Sequence, residues 1–550
     1  MKQYRSKKII LFVSVIICQI SFCQKKETPK LIVGVVVDQM RSEYLYRFQD
    51  NYTENGFKRL IREGYNVKNA HYNYVPTATC LGHATIYTGT TPTNHGIVSN
   101  SWYSRTLGRK MYCVEDSTVF LVDNSGIDKE IVNKKYSRSP KNIKTSTITD
   151  ELKLFSNNRS KVIGVSIKDR SAISPAGHMA DAAYWYNASN GHFITSSYYK
   201  EKLPSWLVQF NNQKKADSLL NQKWETFLPI EKYTNSNVDN DIFEKVYKGK
   251  KESTFPYDLK KLRQRNGNYA LLTETPFGNT ILTDLVKATI KGEQLGKSKN
   301  TDFLTISYSS TDYVGHHFGI RSKEIEDTYV RMDHEIEVLL NTLDKEVGKG
   351  NYLLFLTADH AASDHPVFLE TKKLPGKFYD TKQLKKELNI HLIHKFGDNQ
   401  YVAYLDNTQV YLNEIGTMSK EIILKEAVAY LKTVEGVKEA FAPAISEWAL
   451  SNSVMGTFIK NSFNPEESGD IIYHTYSGWM YKRSFGTSHG TSYTSDTHVP
   501  LLWYGSGIAK GESVHPHVIT EIAPTLSMKL NIPLANASNT TPIVELFKEK

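Results

Sequence analysis

The stretch KLIVGVVVDQM, residues 30–40, is a continuous apolar run that ends on an acid. Such a run predicts a strand buried on both faces, as in a parallel sheet, with Asp38 at its C-terminal end. Three more stretches repeat the design. KVIGVSIKDRSA (161–172) runs out into Lys168 and Arg170, DFLTISYSSTDYVGHHFG (302–319) reaches Asp312, and NYLLFLTADHAASDHP (351–366) reaches Asp359 and His360. THVPLLWYGSGI (497–508) predicts a late strand, and VITEIAPTLSMKL (518–530) a helix near it. EYLYRFQDNYTENGFKRLIREG (43–64) predicts one helix stopped by Gly64. Strands alternating with helices across most of the chain predict an α/β fold around a mainly parallel sheet covered by helices. Ligands of such sheets gather at the carboxyl ends of the strands, where these polar groups fall.

The rest of the chain bounds the reading. MKQYRSKK is a basic start, IILFVSVIICQI (9–20) an apolar segment of 12 residues, and Ser21 and Cys23 occupy small positions before a cut. This three-part pattern predicts a secretory signal peptide over 1–23 and a mature chain from Gln24, exported most simply to a periplasm. A lipid anchor on Cys23 is the lesser alternative, because bulky Phe22 precedes it. No other stretch is long and apolar enough to span a bilayer. Cleavage removes Lys2, Arg5, Lys7 and Lys8 and no acid, so the net charge falls from +10 to +6. That modest balance suits small anionic substrates, and no basic run interleaved with aromatics points to nucleic acid. Of four cysteines, Cys80 and Cys113 remain after cleavage. An exported protein could pair them. Two cysteines cannot make a tetrahedral cysteine zinc site, so a metal here would use Asp and His.

Two regions read as additions to the sheet. Residues from about 192 to 275 are rich in Lys, Asn and Tyr with weak periodicity. Residues 367–474 alternate lysine-rich helices (DTKQLKKELNIHLIHKFG, SKEIILKEAVAYLKTV) with strands (QYVAYLDNTQVYLN). The second predicts an inserted α/β accessory subdomain, which leaves 24–366 and 475–550 as the catalytic core.

Several short motifs carry chemistry. Asp312 and His316 are one helical turn apart and so share a face of a helix. Asp359 and His360 are adjacent at a strand end, and small residues follow them. SFGTSHGTSY (484–493) sets His489 among glycines and hydroxyls. With Asp38, these make three aspartates and three histidines, the number that two zinc ions with open positions would use. Each motif alone has a plain alternative: a capping Asp with a surface His, a strand-end turn, a solvated loop histidine, an Asx-turn. His317 faces elsewhere and has no ligand role. VPTATCLGHATIYTG (75–89) adds four threonines, Thr77, Thr79, Thr85 and Thr88.

The ordered set VVVDQM, PTATCLGHATIYTG, GIVSNSWY, SIKDRSA, ETPFGNT, STDYVGH, EIEDTYVRMD, TADHA and GTSHGT resembles the alkaline phosphatase superfamily across nearly the whole mature chain. It is most similar to the phosphate-irrepressible alkaline phosphatases with a threonine nucleophile, exported by Gram-negative bacteria. The resemblance implies a three-layer alkaline-phosphatase-like fold and an enzyme that hydrolyses phosphate monoesters at a two-zinc site. One zinc would be held by Asp312, His316 and His489. The other would be held by Asp38, Asp359 and His360, with the Thr79 oxygen as a further ligand. Thr79 would attack phosphorus and form a phosphothreonine that water then hydrolyses to release inorganic phosphate. TADHA departs from the family in Ala361, where glycine is more usual, with little consequence expected.

The residues themselves fit these roles. CLGHATIYT predicts a helix from about Cys80 to Thr88 ended by Gly89, and a phosphate at its start would meet free N–H groups and the positive dipole end. Thr77 reads as a cap or loop hydroxyl, and His83 as packed. In an extended segment Lys168 and Arg170 share a face and could grip two phosphate oxygens; an ordinary ion pair is the alternative. Within the resemblance this Lys-x-Arg marks monoesterases, and the cations take the place of a third, magnesium site, so no Mg2+ is expected. Asn100 would donate to another phosphate oxygen. The alternative within the superfamily is a phosphodiesterase or nucleotide pyrophosphatase, which shares the six metal ligands and a Thr but lacks the cation pair. A silent zinc-stabilised binding protein is the alternative from another class. The partners expected are small phosphate esters, and the state expected is a monomer.

Overall fold

The computed structural model describes residues 28–127, 137–406, 408–416, 418–446 and 452–547. The signal peptide predicted over 1–23 lies outside the described residues. Strand β1 (Leu31–Val37) is buried at every position. The segment after it is not the single helix predicted for 43–64. It forms Tyr44–Arg47, a turn of 3-10 helix at Gln49–Asn51, and then Phe57–Glu63. The reason lies far along the chain: Asp333 accepts from the N–H groups of Thr53 and Phe57, both at 2.7 Å, and so restarts the helix at Phe57. Strand β2 (Tyr65–His71) leads to helix α1 (Thr79–Thr88). All ten residues of α1 are buried, so it has no polar stripe, and Gly89 ends it with left-handed backbone at φ 66°.

Next come β3 (Val162–Ser166), α2 (Asp169–Ala176), β4 (Ala182–Asn187) and β5 (His192–Ser196). They are followed by β6 (Asp302–Tyr308), α3 (Ser310–Phe318), α4 (Lys323–Leu343) and β7 (Tyr352–Thr357). The sheet order is β2-β12-β7-β1-β6-β3-β4-β5 once the late strand β12 (His498–Gly505) is included, with short strands at both edges. The five strands from β7 to β4 are mutually parallel; β12 runs antiparallel between β7 and β2, and β5 antiparallel to β4. The sheet is therefore mixed: parallel at its centre, with β12 and β5 antiparallel to their neighbours and short strands parallel to β2 at one edge. Helices flank it: α1 packs on α2, and α4 packs on the helix Phe277–Gly292.

Residues between β7 and β12 build a separate four-stranded antiparallel sheet, ordered β8 (Val402–Asp406), β9 (Gln409–Leu412), β11 (Ile471–Thr475), β10 (Val437–Phe441). It has its own hydrophobic cluster, shared with the helices Thr381–Phe396 and Lys420–Leu431. This sheet braces the route to α1. Val75 packs with Phe441, Ile459 and Ile472, the Val75 N–H donates to Ser462 Oγ at 2.8 Å, and Gln409 Nε2 donates to the Val98 carbonyl at 3.0 Å.

Candidate active site and metal centre

Strand register puts the site together. Val36 pairs with Ser307 and with Thr357, and Ser307 pairs with Ser166. Asp38, Asp359 and Lys168 each follow two residues beyond these neighbours, so all three emerge at the same sheet edge. Asp312 joins them from the first turn of α3, which starts just past β6. Helix α1 is pressed onto this edge at Gly82, where a Cβ would collide with the Asp359 carbonyl oxygen. That contact brings the N-terminal residue of α1, Thr79, over the strand ends.

The predicted groups converge. His360 Nε2 lies 3.6 Å from Asp38 Oδ1, 3.7 Å from Asp359 Oδ2 and 3.5 Å from Thr79 Oγ1. His316 Nε2 lies 3.2 Å and His489 Nε2 3.9 Å from Asp312 Oδ1. The rings of His360 and His489 stack with centroids 3.6 Å apart. Asp38, Asp359 and His360 form one group of potential ligands and Asp312, His360 and His489 another, so His360 faces both. His317 stays apart, beside Glu274 at 3.2 Å.

This donor set fits divalent metal ions. In each of the three histidines Nδ1 contacts a backbone carbonyl: Thr487 for His316, Ala361 for His360, Thr77 for His489, at 2.7 to 3.0 Å. An Nδ1–H held in this way leaves the Nε2 lone pair free for a metal, the usual second layer of a histidine site. Burial holds the His360 and His489 imidazoles below their ordinary pKa, so they are neutral. Asp38 Oδ1 and Asp359 Oδ2 are buried with no hydrogen-bond partner. Burial and then the charge of Asp38 push Asp359 well above the usual carboxylate range. Asp312 goes the other way: burial would raise it, but His316 and Lys168 outweigh burial and hold it well below that range.

The residues expected to face phosphate depart from expectation in three ways. Lys168 and Arg170 do not share a face of an extended segment, because β3 ends at Ser166 and Lys168 is the N-cap of α2. Asp169 opens the helix, and its carboxylate accepts from Tyr112 and Arg138 and from the Arg170 N–H. Lys168 Nζ turns inward to Asp38 Oδ2 at 2.8 Å and Asp312 Oδ2 at 2.6 Å. Arg170 still reaches the centre, with Nη2 3.5 Å from Thr79 Oγ1. Asn100 uses its Oδ1 to accept from the Cys80 N–H at 2.8 Å, so one helix-start N–H expected to be free is taken and the Nδ2 amide is left for another acceptor. A cleft of about 220 Å3 opens there, lined by Thr77, Asn100, Lys110, His316, Tyr481 and His489. The other threonines of 75–89 are accounted for: Thr77 donates to Thr491 O, Thr85 meets His95, and Thr88 bonds back to Ala84 O. His83 is packed, between Thr79 O and Ser307 Oγ. Cys80 and Cys113 form a disulfide.

Gln39 is a site residue that the sequence reading missed. It sits in left-handed backbone at φ 64°, its N–H donates to Asp359 Oδ1 at 3.2 Å, and its Nε2 donates to Asp312 Oδ1 at 2.6 Å. Its only signal is its place directly after Asp38 in VVVDQM, since Gln is not a metal-type ligand and the backbone turn is invisible in sequence.

The model of the type I phosphodiesterase / nucleotide pyrophosphatase family matches residues 32–499. A protein of Myroides odoratus named calcium-transporting ATPase is 44% identical over 536 residues, 96% of each chain. Alkaline phosphatase PafA of Elizabethkingia meningoseptica is 42% identical over 526 residues, 94% of each chain. The crystal structure of wild-type PafA superposes with a TM-score of 0.90 at 40% identity, covering 95% of this chain and 99% of that one. A PafA variant substituted at one threonine, one asparagine, one lysine and one arginine superposes with a TM-score of 0.89 at 39% identity. On sequence and fold together, the chain belongs to the type I phosphodiesterase / nucleotide pyrophosphatase family of the alkaline phosphatase superfamily.

Proposed function

We propose that the protein is an exported alkaline phosphatase that hydrolyses small phosphate monoesters through a phosphothreonine on Thr79. The observation that carries this is the position of Thr79 Oγ1, at a helix start, 3.5 Å from both Arg170 Nη2 and His360 Nε2. The name of the relative PafA supports a phosphate monoester hydrolase, and the four residue types altered in its variant match Thr79, Asn100, Lys168 and Arg170. Asp312, His316 and His489 would hold one zinc ion, and Asp38, Asp359 and His360 the other, with the Thr79 oxygen beside it. Bound there, the two ions would supply Lewis-acid charge to the reacting oxygens. Lys168, paired with both Asp38 and Asp312, joins the two ligand sets; with Arg170 it would take the place of a third metal, so no magnesium is expected.

The chain's own residues do the rest. Thr79 Oγ1 bonds to phosphorus as the bond to the leaving oxygen breaks, and water then cleaves the phosphothreonine, restoring the hydroxyl and releasing phosphate. The Arg170 fork and the Asn100 amide bind non-bridging oxygens, a bidentate grip that a dianion rewards more than a diester does. Gln39 orients Asp312 and Asp359. The basic leader at 1–23 supports export to the periplasm, and the Cys80–Cys113 disulfide suits an oxidising compartment. Among the described residues no helix is long and apolar enough to cross a membrane.

The test is metal analysis of the purified protein with parallel assays of an aryl phosphate monoester, its diester and ATP. Monoester turnover should lead, with about two zinc ions per chain. Thr79→Ala should keep the metal and lose roughly a thousandfold or more in kcat. Faster diester turnover would shift the reading to a phosphodiesterase, and full activity in Thr79→Ala would overturn the mechanism.

A further inference from the structure

Arg170 is held by a ring of contacts that passes through a covalent bond. Tyr112 donates its hydroxyl to Asp169 Oδ1 at 2.6 Å and accepts from Arg170 Nη1 at 3.1 Å. Arg138 Nε donates to the other Asp169 oxygen at 2.6 Å, and its guanidinium lies 4.8 Å from the centre of the Tyr112 ring. Cys113, the next residue, is disulfide-bonded to Cys80, the neighbour of Thr79. The Cys113 N–H donates to the Asn100 carbonyl at 3.1 Å, and Asn100 Oδ1 accepts from the Cys80 N–H at 2.8 Å. Arg170 Nη2 closes the ring at Thr79 Oγ1. Asn100 and Arg170 are thereby tied to the nucleophile through one cross-link.

The contacts that fix Arg170 are few. Its Nε is buried with no hydrogen-bond partner, so the guanidinium is located by its two ends. An arginine has many rotamers, and a bidentate fork works only when its plane is set in advance. The Tyr112 hydroxyl is suited to that task. Burial pushes its pKa up, against the lowering effect of Arg170, so it stays protonated and can donate to Asp169 while accepting from Arg170.

We propose that Tyr112 is a positioning residue that sets the Arg170 fork over Thr79, and that the Cys80–Cys113 disulfide holds Tyr112 in register with the nucleophile. This rests on the phosphate-binding role of Arg170 proposed above. The experiment measures kcat and KM for a phosphate monoester, inhibition by inorganic phosphate, melting temperature and metal content. The variants are Tyr112→Phe, Arg170→Ala, the two combined, and the Cys80→Ala/Cys113→Ala pair with and without Arg170→Ala. Tyr112→Phe should lower kcat/KM roughly ten- to a hundredfold, the range for a hydrogen bond to a charged group, and weaken phosphate inhibition in step. Metal content should not change. In the Arg170→Ala background the same substitution should cost less than about twofold, because the interaction it supports is already gone. The cysteine pair should show a smaller loss, about threefold to tenfold, absorbed in the same way. If Tyr112→Phe misfolds, Asp169→Asn weakens the acceptor that orients the Tyr112 hydroxyl and should move the same readouts in the same direction. A crippled Arg170→Ala beside a normal Tyr112→Phe overturns the proposal, as does a Tyr112→Phe loss of equal size in both backgrounds. A normal Arg170→Ala instead overturns the reading on which the proposal rests.

Discussion

Buried carboxylate oxygens without a partner gather at the sheet edge and near the N-terminal turn of α4, and the two groups solve the problem differently. At the sheet edge these are Asp38 Oδ1 and Asp359 Oδ2; near α4 they include Glu244 Oε1 and Glu324 Oε2. At the sheet edge, imidazole nitrogens turned by backbone carbonyls surround the carboxylates. Near α4 the company is different: Glu324 accepts from the Tyr257 hydroxyl and Glu244 from the Asp241 N–H. Burial first, with Asp239 and Asp327 adding, pushes Glu324 up to about 8; burial and then Glu324 push Glu244 up to about 10. A desolvated carboxylate is relieved by a cation or by a proton. Desolvated acids alone therefore do not mark a metal site; oriented histidines beside them do.

The contrast is tested most severely by removing one imidazole and one glutamate separately. His489→Ala should lose bound metal and at least about a hundredfold in kcat/KM, whereas Glu324→Gln should keep full metal content, measured by elemental analysis on the same preparations. Metal bound by Glu324 would dissolve the distinction. Next in size, dialysis against a chelator should lower the melting temperature by several degrees, because an ion that binds only the folded chain stabilises it. Asp359→Asn should recover part of that loss in the metal-free protein, because it removes an acid that is costly to bury beside Asp38. Weaker still is the pH dependence. A glutamate whose folded pKa is raised keeps its proton when the unfolded chain has released it. The stability contributed by protonated Glu324 is full below the usual glutamate range and is lost as pH rises towards and through about 8. Denaturant melts of wild type should show this decline, and Glu324→Gln should flatten it. A steeper decline in the variant would contradict the assignment.

What could be read in sequence was whatever is set locally. Apolar runs such as Leu31–Val37 and Tyr352–Thr357 announce buried strands, so Asp38 and Asp359 fall where strand ends meet a common edge, and Gly89 stops α1 directly after Thr88. What escaped was set by distant partners. The helix over 43–64 is broken by Asp333, 280 residues beyond Thr53. Lys168 stays extended as the N-cap while Arg170 turns into α2, where Asp169 in the first turn is gripped by Tyr112 and Arg138. Gln39 joins the site through a left-handed turn that no side-chain pattern encodes.

The place of the accessory sheet between β7 and β12 also orders events in time. His489 reaches the Thr77 carbonyl across 412 residues of sequence, and β12 fills the gap between β7 and β2 only after the four accessory strands have been made. A chain still being synthesised can present Asp38, Thr79, Asp312 and His360 while one edge of β7 is open and the last imidazole is missing. Such long-range closure is the slow kind of folding step. Under the proposed mechanism the unfinished chain would carry Thr79 without a complete centre, and competence to cleave phosphate esters would arrive with the segment from His489 onward.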